Sequence, residues 1–169
     1  MHTRLLVGAF LIYQNQNKIL LMKRGMHKEL GPGMWSGIGG HIEFDDFNNP
    51  REMNHKKAIY REIKEEAGIS QNEILNLDLR YIATQIDRKR NEIQNAYYYF
   101  GKVGNEFELP FCDEGVFHWV DINKKDIINL PMSFFVKEII KHWLDNPDNN
   151  NIFLVGINKE NNKSTFIEL

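Results

Sequence analysis

Apolar residues run along this chain in short blocks separated by polar turns, and the period of each block names its element. Leu5 to Tyr13 (LLVGAFLIY) and Lys18 to Arg24 (KILLMKR) are apolar runs flanking the polar Gln14-Asn15-Gln16-Asn17. They predict two strands in a hairpin. Gly25 to Gly37 has no period; Gly31-Pro32-Gly33 punctuates it, so it reads as a loop carrying Trp35 into Ser36-Gly37-Ile38-Gly39-Gly40. From Asn54 to Ala67 good helix formers continue without Pro, and Gly68 supplies a stop. On that helix Ile59, Ile63 and Ala67, with Tyr60, form an apolar stripe. Glu62 and Glu66 lie one turn apart beside it, with Glu65 adjacent.

The second half repeats the alternation. Ile74 to Gln85 and Gln94 to Lys102 predict strands joined across Arg88-Lys89-Arg90-Asn91, and the period of two predicts that among Tyr97, Tyr98 and Tyr99 at least one is buried and one exposed. Gly104 to Gly115 is an acidic loop, with Glu106, Glu108, Asp113 and Glu114, before a strand over Val116 to Val120. Pro131 to Leu144 places Phe135, Ile139, Ile140 and Trp143 on one helical face. Asp145 to Asn151 is a polar linker, and Ile152 to Ile157 with Ser164 to Leu169 predict a terminal hairpin around Lys159-Glu160-Asn161-Asn162.

Composition narrows the class. The 169 residues suit one domain. A net charge of −2 supplies no basic field for nucleic acid, and the triplet Arg88-Lys89-Arg90 reads as a solvated hairpin tip. A single cysteine, Cys112, excludes an internal disulfide and fits a reducing cytoplasm. No apolar run approaches the roughly 20 residues that span a bilayer, so no membrane partner is expected. The glycine-rich run is followed by no G-K-[ST] and contains no G-x-G-x-x-G, so it is not a phosphate loop of those kinds.

The candidate chemistry lies on the first helix. Three carboxylates on one helical edge repel one another by roughly a few tenths of a kcal/mol per pair. A divalent cation would remove the conflict, and an all-carboxylate set suits Mg²⁺ or Mn²⁺. Zinc is not suggested: no Cys is near, and His55 lies about two turns away.

The order of these residues carries a resemblance. Arg61-Glu62-Ile63-Lys64-Glu65-Glu66-Ala67-Gly68-Ile69 matches R-E-U-x-E-E-x-G-U, U being a bulky aliphatic, and Gly39-Gly40-His41-Ile42-Glu43 stands upstream. The stretch resembles the Nudix box, G-x5-E-x7-R-E-U-x-E-E-x-G-U. Its first half departs from the pattern. Counting from Gly40 reaches Asp46 where the family has Glu, and 14 residues then precede Arg61 instead of seven. An insertion therefore falls within 45–53, where Phe47-Asn48-Asn49-Pro50 reads as a loop, and the upstream carboxylate is open between Asp46 and Glu52. Ile38 replaces the family's usual Pro.

The resemblance spans residues 5–144 in element order and implies an α/β fold, the Nudix-type α/β/α sandwich around a central mixed β-sheet. The domain would occupy 1–144, with 145–169 a linker and hairpin-like extension pairing with the sheet or with another subunit in a homodimer. The implied reaction is hydrolysis of a diphosphate linkage in a nucleoside diphosphate derivative, with a nucleoside triphosphate favoured. Glu62, Glu65 and Glu66, the Gly39 carbonyl and Asp46 are the implied ligands of Mg²⁺, with Mn²⁺ the alternative. Glu65 and Glu114 compete as proton acceptor, and Arg61 ties the helix carboxylates. Lys23 and Arg24 are candidates for phosphate contact and Trp35 for stacking a base. The alternative function is a catalytically weak nucleotide-binding sensor, motivated by the insertion and by Asp46.

Overall fold

The computed structural model describes residues 1–49, 52–158 and 160–169. In chain order the elements are β1 (His2–Tyr13), β2 (Lys18–Arg24), β3 (Trp35–Ser36), β4 (Ile38–His41), β5 (Phe47–Asn49), β6 (Glu52–Met53) and α1 (His55–Ala67). There follow β7 (Ile74–Asp87), β8 (Glu92–Val103), β9 (Gly115–Asp121), α2 (Lys124–Asn129), α3 (Phe134–Asp145), β10 (Phe153–Asn158) and β11 (Lys163–Glu168).

The sheet is mixed, in the order β11-β10-β7-β8-β1-β2-β3, with β4 also paired to β1 and β9 to β2. β1 runs parallel to β8 from His2↔Glu92 to Tyr13↔Val103. Its other edge is shared: β4 takes Leu6 to Ala9 and β2 takes Ile12 and Tyr13, both antiparallel. Two strands dividing one edge force the chain between them outwards, which opens the sheet beside Gly39 and Gly40.

Strand alternation makes the layers. Ala9, Leu11, Leu20 and Met22 face α1 with its buried Ile59, Ile63 and Ala67, while Phe10, Ile19 and Leu21 face α3 with Phe135, Ile139, Ile140 and Trp143. The result is the expected α/β/α sandwich. Among the described residues no helix is long and apolar enough to cross a membrane.

Several local expectations are corrected. The glycine-rich approach, read as loop, supplies β3, which pairs with β2, and β4, whose glycines let its backbone lie flat against β1. The insertion is not plain loop: Phe44–Asp46 forms a 3-10 turn, and β5 pairs with β6 through Phe47↔Met53 and Asn49↔Glu52. Pro50 of that stretch lies outside the described residues. No tyrosine of the triplet is exposed, since the His55 ring stacks on Tyr97 at 4.4 Å and Phe10 and Phe135 cover Tyr98. α2 has too few residues to show a period, and sequence reasoning passed over it.

The terminal segments join the main sheet: β10 lies parallel to β7, and β11 closes the edge antiparallel to β10. Lys159 of the expected turn lies outside the described residues. Phe153, Val155 and Ile157 are buried, the His142 ring stacks on Phe166 at 4.2 Å, and His142 Nδ1 lies 3.0 Å from the Tyr81 hydroxyl. Burying three such side chains is worth about 1.5–3 kcal/mol each. Truncation after Asp145 is therefore expected to lower the melting temperature by about 10 °C or more, or to leave the chain insoluble. A truncated chain that melts with the full-length protein in a thermal scan would show that the hairpin carries none of the core.

Candidate active site

α1 begins where the Asn54 side chain accepts the Lys57 N–H at 2.9 Å, and it ends at Gly68, left-handed with φ 70°. Between these caps Ile59, Ile63 and Ala67 pin one face to the sheet. Helical geometry then fixes the acids: Glu62 and Glu66 flank the buried stripe and are 8% and 9% exposed, while the Glu65 side chain, one step round, is 58% exposed.

β4 forms the other wall. Gly39 N–H donates to Glu66 Oε2 at 3.3 Å. A Cβ on Gly40 would sit 2.4 Å from Glu62 Oε1, and one on Gly39 would sit 2.2 Å from the Val7 carbonyl oxygen. The glycine pair is what allows carboxylates, β4 and β1 to approach so closely. Burial raises the Glu62 carboxyl above its usual range. Burial also pushes Glu66 up to about 7; the Gly39 N–H opposes this, and the charges of Glu62 and Glu114 add to it.

Arg61 organises the surroundings. Its guanidinium reaches Asp46 Oδ1 at 3.2 Å and Oδ2 at 2.8 Å, Glu62 Oε1 at 2.8 Å, Glu65 Oε2 at 3.1 Å and the His41 carbonyl at 2.9 Å. Asp46 is 1% exposed and also accepts the Glu43 N–H at 2.9 Å. Burial pushes its carboxyl up, but the hydrogen bonds from Arg61 and Glu43 outweigh burial and the net is below the usual range. Glu52, the other upstream acid, is exposed and accepts from Asn48 and Asn49 at 3.1 and 2.9 Å.

A cavity of about 880 Å³ opens onto this edge. Glu62, Glu65, Glu66, Arg61, Gly39, Arg24, Trp35 and Glu114 all line it, whereas Lys23, Asp46 and Glu52 do not. Lys23 is exposed, because strand alternation sends consecutive side chains to opposite faces. Glu114 is held by Arg24 at 3.1 Å and by Lys28 at 2.8 Å, and Lys28 also reaches Asp113 at 2.6 Å. Lys28 was missed by sequence reasoning; its partner lies 86 positions away, and no local period signals such a pair. Among the described residues no three His, Cys, Asp or Glu side chains converge as a ready-made metal cage. Glu62 and Glu65 turn instead to Arg61.

A family model described as the NUDIX domain matches residues 2–143. The chain belongs to the NUDIX family. It is accordingly a Nudix hydrolase, an enzyme of phosphoric anhydride bonds. No curated protein sequence matches the chain. Among solved structures it is similar to a mutator MutT protein from Bacillus halodurans, with 19% identity over 98% of this chain and 97% of that one and a TM-score of 0.65. It is also similar to a MutT protein from Methanosarcina mazei, with 18% identity, coverage of 88% and 97% and a TM-score of 0.66. The dihydroneopterin triphosphate pyrophosphohydrolase of E. coli gives 16% identity, coverage of 86% and 99% and a TM-score of 0.62. At these identities the likeness is one of fold.

In this Nudix hydrolase the Arg61–Asp46 pair should act as a clamp on the box. Arg61→Leu strands a buried carboxylate and is expected to cost about 3–5 kcal/mol in denaturant unfolding. Adding Asp46→Asn to that variant is expected to recover part of the loss. If the double variant is as unstable as the two single changes added together, the two side chains are not coupled.

Proposed function

We propose that this Nudix hydrolase cleaves a diphosphate linkage in a nucleotide, with a nucleoside triphosphate the favoured substrate, and that it works with Mg²⁺, Mn²⁺ being able to substitute. The observation that carries the reading is the pair of nearly buried glutamates, Glu62 and Glu66, packed against glycine backbone at the wall of a cavity that Glu65 and Glu114 also line. Buried carboxylates with raised pKa values mark a place where the protein supplies less positive charge than the acids require. An all-oxygen set of Glu62, Glu65, Glu66 and the Gly39 carbonyl fits a hard divalent cation, and small rotations of Glu62 and Glu65 away from Arg61 would complete it. Asp46, tied to Arg61 and outside the cavity wall, fits a supporting role better than that of a ligand.

When bound, the cation neutralises charge on the pyrophosphate oxygens and lowers the pKa of water. The chain's own groups supply the rest. Arg24 lines the cavity beside Glu114 and suits contact with phosphate oxygens. Glu65 is the favoured proton acceptor: only one of its oxygens, Oε2, meets a cation among the described residues, and the side chain stands exposed to the water that must be deprotonated. Glu114 competes less well because a cation holds each of its oxygens, Lys28 on Oε1 and Arg24 on Oε2. The triphosphate preference is supported by the E. coli neighbour, a dihydroneopterin triphosphate pyrophosphohydrolase. Trp35, its ring 5.2 Å from that of His118 at the cavity wall, supplies an apolar surface for the nucleoside.

Glu66→Gln is expected to reduce Mg²⁺-dependent pyrophosphate release from nucleoside triphosphates by about a hundredfold or more, with circular dichroism unchanged. Mg²⁺ at about a hundred times its dissociation constant should stabilise the wild type by about 2.7 kcal/mol and this variant by much less. Turnover that survives both chelator and Glu66→Gln would remove the metal reading. A second comparison assigns the base: Glu65→Gln should lower kcat with little change in KM, and Glu114→Gln should mainly raise KM. The reverse split would give the proton to Glu114.

A further inference from the structure

Away from the glutamates, the cavity has a polar wall that phosphate chemistry does not use. Arg4 on β1 stands opposite Gln94 on β8, and Gln94 stands opposite Gln85 on β7, so three polar side chains form one row across three neighbouring strands. All three line the cavity, as does Asp87 two residues further along β7. Elsewhere this face of the sheet is apolar core, including Tyr81, Ala83 and Ala96. Gln85 is 6% exposed, and a buried amide in such a place is costly unless its hydrogen-bonding groups find partners.

The hydrogen bonds fix which way this amide faces. Arg4 donates from Nε to His41 Nε2 at 3.0 Å and from Nη1 to Glu92 Oε1 at 3.4 Å. Glu92 Oε1, an acceptor, also takes the Gln94 N–H. That turns Gln94 Oε1 towards Gln85, whose Nε2 donates to it at 3.3 Å. The chain of donors and acceptors is thereby closed at one end, and what Gln85 presents to the cavity is its carbonyl Oε1, which has no protein partner among the described residues. Asp87, held by the Arg90 N–H at 3.1 Å, adds carboxylate charge to the same wall. A ligand atom that meets Gln85 Oε1 must be a hydrogen-bond donor, such as the N–H of an amine, because a carbonyl oxygen there would face another acceptor. The flanking surface is apolar, with Leu6 from β1 and Phe134, Phe135 and Val136 from the start of α3.

We propose that Gln85, oriented by the Gln94–Glu92–Arg4 chain, is a specificity-determining residue that selects a nucleobase carrying an exocyclic amine and disfavours its deaminated, oxo counterpart. The proposal rests on the reading of this cavity as a nucleotide site. The flat apolar neighbours take the faces of the heterocycle, and the Gln85 oxygen takes one N–H of the amine. A site built around a hydrogen bond discriminates strongly against an analogue lacking the donor, because its own polar group is then left buried and unpaired.

The test is equilibrium titration, with chelator present to suppress turnover, of ATP against ITP, of GTP against XTP and of CTP against UTP, alongside Mg²⁺-dependent turnover of the same set. In the wild type at least one amino nucleotide should bind about tenfold or more tightly than its oxo partner, and in Gln85→Leu that ratio should fall to within about twofold through weaker binding of the amino member. Gln94→Leu, which frees Gln85 to rotate, should lower the ratio part of the way. Circular dichroism and the melting temperature check that both variants fold. Equal binding of amino and oxo nucleotides, a preference undiminished in Gln85→Leu, or no nucleotide binding at all overturns the proposal. Turnover without discrimination would sink this inference and leave the hydrolase standing. Discrimination in binding without turnover would do the opposite.

Discussion

Carboxylates cannot be taken out of water together unless something answers their charge, and the centre of this protein is arranged around that constraint. Glu62 and Glu66 are drawn into the interface by the apolar stripe beside them, since Ile59, Ile63 and Ala67 cannot be buried without bringing the neighbouring edge of α1 along. Arg61 answers part of the charge, and it is held in turn by the buried Asp46 and by the His41 carbonyl. The remainder is unanswered by the protein, which is why burial leaves Glu66 near neutrality in its affinity for a proton. Stability and chemistry pull in opposite directions on the same helix turn, a conflict that functional sites commonly retain.

The same constraint explains the backbone opposite. Only a strand without side chains can lie against Glu62 at the distance of Gly40, and only an edge divided between β2 and β4 leaves an opening there. The cavity, the glycine pair and the acidic helix are therefore consequences of one another. The glutamates and the Arg4–Gln94–Gln85 row meet in this one space because β1 contributes Arg4 and Leu6 to it and also backs Gly39 and Gly40.

Much of this was legible in the sequence, for reasons that particular residues make clear. α1 declared itself by its period and its Gly68 stop, and α3 by Phe135, Ile139, Ile140 and Trp143, because burial on one face leaves a periodic trace. The order Arg61-Glu62 to Glu65-Glu66 carried the family. What the sequence hid was contact between distant segments. Lys28 and Glu114, or Gln85 and Gln94 with Arg4, become neighbours only through strand register, which no local pattern encodes. Asp46 was ambiguous for a related reason: its role depends on the 3-10 turn that places it under Arg61, and that turn lies in an insertion with no periodicity. β4 was read as loop because glycine has low strand propensity, and β3 because two residues show no period; tertiary pairing to β1 and β2 made both strands.

The parallel pairing of β1 with β8 also sets an order of assembly. Strand β1 leaves the ribosome first, yet its full-length partner begins at Glu92, and the stretch between them includes the whole of α1 and β7. Such non-local pairing makes closure of the sheet the slow event in folding. Until β8 is synthesised, β1 lacks its full-length partner, and Phe10, Ile19 and Leu21 lack α3, the layer that later covers them. The sheet that creates the cavity is thus completed only after the helix that carries its acids has been made.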